Sequence, residues 1–299
     1  MNSQPAPEFK KFISDFVAAD IATVFPDRSE KMNKNCIFAY HMGAGDGFTM
    51  YAAVMHYQKI YDEVNVFCLH RYRHTFAQLY EPYPNVKVNI VNDVVYPHIN
   101  FMINLIQQTY RPPQSYLKPF DLFLCGNFHS LFNGSDRFWE RFYNHLQLPY
   151  QIRYVHMQIN RNKEREMNLY NSVVSKFGEK YIFLHDHRNH DTNEHFHVRP
   201  NICVESELPV FHPNFNYHAV PQDKYHHLWT PDLISDNLLD YCTLIENATE
   251  IHIRDSAFSC LAPFLDLKNI KKRCVYTGYD MVHYHNSYAN NWNIINDMG

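Results

Sequence analysis

Short apolar runs alternating with amphipathic stretches constrain this chain more than any other feature. Residues 36–41 (CIFAYH), 64–69, 86–91 and 121–125 have the length and the β-branched or aromatic content of buried strands. Residues 48–61 carry Tyr51, Met55 and Ile60 on one side at helical spacing, and residues 75–80 predict a shorter helix. The second half repeats the pattern. A charged amphipathic helix is predicted over 161–177, strands over 181–185 and 210–212, a helix over 238–247 and a strand over 250–254. That strand runs straight into a helix expected to reach Leu267, and residues 273–276 close the sheet. Strand–helix–strand order with short loops gives βαβ units and therefore parallel sheets. The expected fold is α/β, with two Rossmann-like domains facing across a cleft.

A chain of 299 residues is long enough for two domains of about 150 residues each. The boundary is expected within residues 148–155, dividing the chain into 1–150, 151–275 and a tail, 276–299. The tail's aromatic content and Trp292 suggest that residues 280–296 pack back across the hinge. The chain is 45% hydrophobic and 16% aromatic, which supplies a core and excludes a disordered protein. A formal net charge of −4 argues against nucleic acid or an anionic membrane as partner, while leaving room for a local phosphate pocket. The 20 histidines turn the balance positive near their ordinary pKa of about 6.5. Seven cysteines, odd in number and without a CxxC pair, read as thiols of a reducing compartment, and a cytoplasmic location is expected. The first residues, MNSQPAPEFKKF, lack a signal-peptide pattern, and no run of 18 apolar residues offers a transmembrane span.

Glycine is scarce, so its clustering matters. Three of the eight glycines, Gly43, Gly45 and Gly47, fall within five positions, directly after the first strand and its terminal His41. Open α/β sheets bind ligands at that end of a strand. Asp46 in such a loop would present a carboxylate to the cleft. The alternative is that Asp46 caps a helix beginning at Gly47, a contribution of about 1 kcal/mol. The spacing GxGxG is not the dinucleotide fingerprint, and no Lys-Ser/Thr pair follows to make a P-loop. A dinucleotide-dependent epimerase or dehydrogenase therefore lacks its motif.

Two further segments could carry chemistry. In residues 251–261, IHIRDSAFSCL, a strand ends at Asp255 and Ser256, and Ser259 opens a helix. Hydroxyls and free N–H groups there suit a phosphate, although helix capping explains the same residues. From His185 to His197 stand five histidines and three acids in thirteen residues. That segment could ligate a divalent metal, but it lacks a rigid i,i+4 His pair, and a histidine-rich chain produces such clusters by composition. No metal is expected there, and Arg188 is expected to face a diphosphate. Arg161 and Arg165 open the following helix and could add positive potential to the cleft, although a solvated helix face is the expected reading. No GxSxG elbow is present, and no cysteine sits in an electropositive turn.

Taken in order, these motifs resemble those of GT-B glycosyltransferases. Residues 40–53, YHMGAGDGFTMYAA, are similar to the first strand–loop–helix of the heptosyltransferase-like group. Residues 181–187 (YIFLHDH) and 244–261 (LIENATEIHIRDSAFSCL) resemble the donor half of such enzymes, with a Ser-x-Phe-Ser stretch like that of several fucosyltransferases. The resemblance implies metal-independent transfer of a sugar from a nucleotide-diphosphate sugar to a glycan hydroxyl, with no cofactor beyond that donor substrate. It implies an acceptor-binding first domain, a donor-binding second domain and Asp46 as general base. His41, Gly43, Gly45 and Gly47 would line the acceptor side; Arg188, Asp255, Ser256 and Ser259 would bind the donor, with Asp266 on its ribose. The alternatives are a metal-dependent hydrolase or oxygenase built on residues 185–197, or a nucleotide-sugar-binding protein without catalysis.

Overall fold

The computed structural model describes residues 35–40, 43–91, 120–125, 142–143, 146, 148–156, 158–186, 202, 204–214, 229–254, 256–277 and 292–296. The chain divides into two compact units, Met1–Asn160 and Arg161–Gly299. The division falls beyond the 148–155 stretch in which the sequence places it, and the reason is local bonding. Tyr150 and Ile152 are buried. Tyr51 donates its hydroxyl proton to the Gln158 carbonyl at 2.7 Å, and the side-chain amides of Gln78 and Asn160 each donate to the other's backbone carbonyl, at 3.2 and 2.8 Å. Residues 150–160 thereby belong to the first unit.

In the first unit, strands β1 (Asn35–Ala39), β2 (Glu63–Leu69), β3 (Val86–Val91) and β4 (Phe120–Leu124) form a sheet of order β3-β2-β1-β4. Every neighbouring pair is parallel. Helix α1 (Ala44–Tyr57) joins β1 to β2, and α2 (Arg73–Tyr80) joins β2 to β3. Helix α1 is buried along nearly its whole length, as suits a helix apolar all round. Its Tyr57 packs with Phe38 of β1 and Phe123 of β4, at ring separations of 5.7 and 4.6 Å.

The second unit opens with α3 (Lys163–Phe177), capped by the Asn162 side chain, which accepts from the Arg165 amide. Strands β5 (Ile182–His185), β6 (Val210–Phe211), β7 (Glu250–Arg254), β8 (Lys272–Thr277) and β9 (Asn293–Asn296) form a second parallel sheet, ordered β6-β5-β7-β8-β9. Helix α4 (Cys242–Asn247) is preceded by a 3-10 turn over Leu238–Tyr241, and α5 (Ala257–Leu261) follows β7. Helix α5 stops well before Leu267. Pro263, which lacks an N–H, diverts the chain into a 3-10 turn over Ala262–Phe264. Strand β8 does not close the sheet either. Residues 293–296 of the expected tail hydrogen-bond alongside it as β9, and Ile295 packs on the core cluster of Ile182, Leu184, Val210 and Tyr276. Trp292 is half-buried, and residues 278–291 of that tail lie outside the described residues.

Six cysteines are described, all buried and reduced. Burial pushes the thiols of Cys125, Cys242 and Cys274 up, which keeps them protonated and inert. His156 is perturbed in the other direction. Burial above all, with Lys59 and His56 nearby, brings it down to about 4 from an ordinary 6.5. The unfolded chain therefore takes up a proton that the folded chain refuses. His156's contribution to stability is present above pH 6.5 and lost as pH falls toward 4. The melting temperature of the wild-type protein should fall across that window, and His156→Gln should flatten the fall; an unchanged profile in the variant would assign it elsewhere.

Candidate functional site

Each sheet has one place where chain order reverses, and such switch points are where open α/β sheets take their ligands. In the first unit it lies between β1 and β4. There Tyr40 follows β1 and donates its hydroxyl proton to the Phe67 carbonyl at 2.7 Å. Burial first, then the neighbouring Cys68 and Asp46, raises the Tyr40 phenol well above its ordinary pKa of 10. It is a fixed donor rather than a base.

The glycine cluster is not a loop. Gly43, in extended conformation, is the N-cap residue, and Gly45, Asp46 and Gly47 already lie within the first turn of α1. Asp46 is therefore not the N-cap but the third helical residue. It is half-buried, with Oδ2 only 3.1 Å from where a β-carbon on Gly43 would sit. Its carboxylate folds back over that backbone, in the first turn, where the helix dipole favours a negative charge. Thr49 donates to the Gly45 carbonyl at 3.0 Å. Gly47 serves packing rather than ligand approach. A β-carbon there would lie 2.0 Å from Phe76 Cζ, so the absent side chain is what lets α2 lie against α1.

The second switch point lies between β5 and β7. His185 ends β5, buried and edge-on to Phe258 at 4.8 Å, and Asp186 follows it. Arg254 ends β7. Asp186 and Arg254 are only 1% and 2% exposed, and the Arg254 Nε donates to Asp186 Oδ1 in a buried ion pair. Among the described residues, the Arg254 Nη1 has no hydrogen-bond partner. The sequence reading passed over this pair, although a charge at the end of each of two apolar strands was visible in IFLHD and EIHIR.

Beyond β7, Ser256 is the N-cap of α5. Its amide donates to Ser259 Oγ at 3.0 Å, while Ser259 Oγ donates to the Ser256 carbonyl at 2.6 Å. The Ser256 hydroxyl faces the Ser259 amide in the reciprocal half of a capping box, yet its Oγ is enclosed and makes no close hydrogen bond among the described residues. The two serines thus differ: Ser259 makes both close bonds of the cap, and the Ser256 hydroxyl makes none among the described residues.

Asp266 does not belong here. Its amide donates to Glu246 Oε1 at 3.1 Å and its carboxylate pairs with Lys268 at 2.8 Å. Glu246 precedes β7 and Asp266 precedes β8, so both lie by the amino ends of the parallel strands, away from Ser256. Arg161 is not on a solvated face. It bridges Glu166 and Glu246 at 2.5 and 2.6 Å, with Glu166 fully buried. Burial would raise the Glu166 carboxyl, but hydrogen bonds from Arg161 and Thr243 overrule it and hold the pKa below the usual range. Arg165, half-exposed, pairs with Asp240 at 2.8 Å. Neither arginine is left to add positive potential to a ligand site.

His41, Arg188, Asp255 and residues 187–197 lie outside the described residues. Among the described residues, no group of three His, Cys, Asp or Glu side chains could hold a metal ion, and no helix is long and apolar enough to cross a membrane.

No family model matches this sequence, and comparison with curated proteins gives no match. Among solved structures, the chain is similar to a glycosyl transferase family 9 protein from Veillonella parvula DSM 2008, with a TM-score of 0.48 and 9% sequence identity. The likeness covers 90% of this chain and 89% of that one.

Proposed function

We propose that this chain is a glycosyltransferase of GT-B type, with the acceptor hydroxyl bound by the first unit and a nucleotide-diphosphate sugar by the second. The observation that carries the reading is the placement of complementary chemistry at the two switch points. One presents a half-buried carboxylate, Asp46, and the other an enclosed, unpartnered hydroxyl, Ser256, beside a buried guanidinium. In the reaction the acceptor oxygen attacks the anomeric carbon as the bond from that carbon to the diphosphate oxygen breaks. Asp46 takes the proton released by the hydroxyl. Negative charge grows on the departing nucleoside diphosphate, and donors at the second switch point stabilise it in place of a metal. Arg188 and Asp255 are assigned to the same donor side on the strength of the sequence alone.

A melting-temperature panel of UDP-, GDP-, ADP- and CMP-sugars tests the donor class. A ligand at 100 times its Kd adds about 2.7 kcal/mol of stability, which a melting curve resolves readily. One nucleotide class should raise the melting temperature, and transfer from that donor should survive excess EDTA. If no nucleotide sugar stabilises the protein, the reading fails. Activity lost in EDTA and restored by Mn²⁺ or Mg²⁺ would move the chemistry to residues 185–197.

A further inference from the structure

We infer that Arg254 is an anion-binding residue, whose guanidinium takes a phosphate oxygen at the carboxyl edge between β5 and β7. A guanidinium offers five donors on a rigid plane. Asp186 occupies the Nε side of that plane, and Nη1, on the opposite side, has no partner among the described residues. A buried donor in that state is costly unless something fills it, and buried polar groups in folded proteins nearly always have a partner. A second unpartnered buried polar atom, Ser256 Oγ, lies two residues along the chain. Strand order puts both at the switch point, the place where ligands approach a parallel sheet.

The alternative role for the ion pair is a tie between strands. Backbone bonding already supplies one, since β5 and β7 pair in register from Ile182↔Glu250 to His185↔Ile253. What Asp186 adds is orientation: it fixes the plane of the fork, so that Nη1 is presented with little side-chain freedom left to lose. Asp186 is thus a positioning residue, and Arg254 is the group that touches the ligand. The inference rests on the proposed function only for what carries the phosphate, a nucleoside diphosphate rather than inorganic phosphate or pyrophosphate.

Calorimetric titration of the full chain with inorganic pyrophosphate, UDP, GDP, uridine and guanosine separates these cases. Pyrophosphate and one of the diphosphates should bind, and the nucleosides alone should bind far more weakly. Arg254→Gln should weaken phosphate binding by about 10- to 100-fold, the scale of a lost hydrogen bond to a charged group. Because that variant takes the guanidinium away from the buried Asp186 carboxylate, Asp186→Asn combined with Arg254→Gln removes both charges and should show the same loss in a folded protein. Asp186→Asn alone keeps the guanidinium and should retain part of the affinity. Wild-type crystals soaked in pyrophosphate should place an oxygen within hydrogen-bond reach of Arg254 Nη1, a result that depends on no variant.

Folded variants that bind pyrophosphate as the wild type does, a wild type that binds neither pyrophosphate nor diphosphate, or density only at other residues would each overturn the inference. Arg254-dependent binding of pyrophosphate without any response to nucleotide sugars would sustain it while removing the glycosyltransferase reading. The opposite pattern, nucleotide-sugar binding indifferent to Arg254, would do the reverse.

Discussion

Asp46→Asn is expected to lower kcat by about 10²–10⁴-fold while nucleotide-sugar affinity is retained. The substitution keeps the size and planarity of the side chain and removes only its ability to take a proton. Because Asp46 occupies the third position of α1 rather than the cap, the variant also loses a favourable charge in the first turn. That loss costs about 0.3–1 kcal/mol, small beside the stability of a domain. Initial rates under donor saturation, read beside the melting temperature, separate the two effects. If donor binding and the melting curve stay near wild type and turnover does too, Asp46 has no part in proton transfer. The base must then be sought at His41 or at another carboxylate.

Gly47→Ala is expected to destabilise the first unit by about 1–3 kcal/mol or more, the range for overpacking a close-packed core. The added β-carbon would meet Phe76 Cζ at 2.0 Å and Cε1 at 2.3 Å. The ring has little room to retreat, since Phe76 is 1% exposed and stacks between Phe48 and Tyr80, at 6.2 and 6.4 Å. Phe76→Leu alone should cost stability by loss of packing. Combined with Gly47→Ala it should cost less than the sum of the two, because the smaller side chain vacates the space that the methyl needs. Urea denaturation of the four proteins measures the coupling. Simple additivity would mean that the two helices separate to admit the methyl.

The contrast between those two residues shows what the sequence could and could not disclose. The strands were legible because a parallel strand covered on both faces must be a short, nearly continuous apolar run, as CIFA, VNVFCL and YIFL are. The beginning of α1 was not. Clustered glycines ordinarily mark a turn, and only the ring of Phe76, nearly thirty residues away, explains Gly47 inside a helix. Strand β9 was missed because NIIN offers two apolar residues between asparagines, enough for an edge strand but not for a pattern. The Asp186–Arg254 pair and the Arg161–Glu246 bridge join residues far apart in sequence, so the sheet order and the packing of α3 on α4 had to be known first. Asp266 was misplaced for the same reason. A carboxylate shortly after a candidate phosphate turn looks near it in sequence, yet the intervening helix carries the chain toward the opposite end of the strands.

Strand β1 also bears on how the chain is made. One side of it pairs with β2, from Asn35↔Glu63 onward, and the other with β4, from Asn35↔Phe120 onward. During synthesis the first of those partners leaves the ribosome long before the second. In the interval the β1 backbone on that side, flanked by Cys36, Ile37 and Phe38, has no strand to bond to. An unpaired apolar edge of that kind is a template for strands of other nascent chains. Translation rate between Val91 and Phe120 therefore sets how long the first unit stays open to aggregation, and any truncated product ending before Phe120 carries that edge permanently.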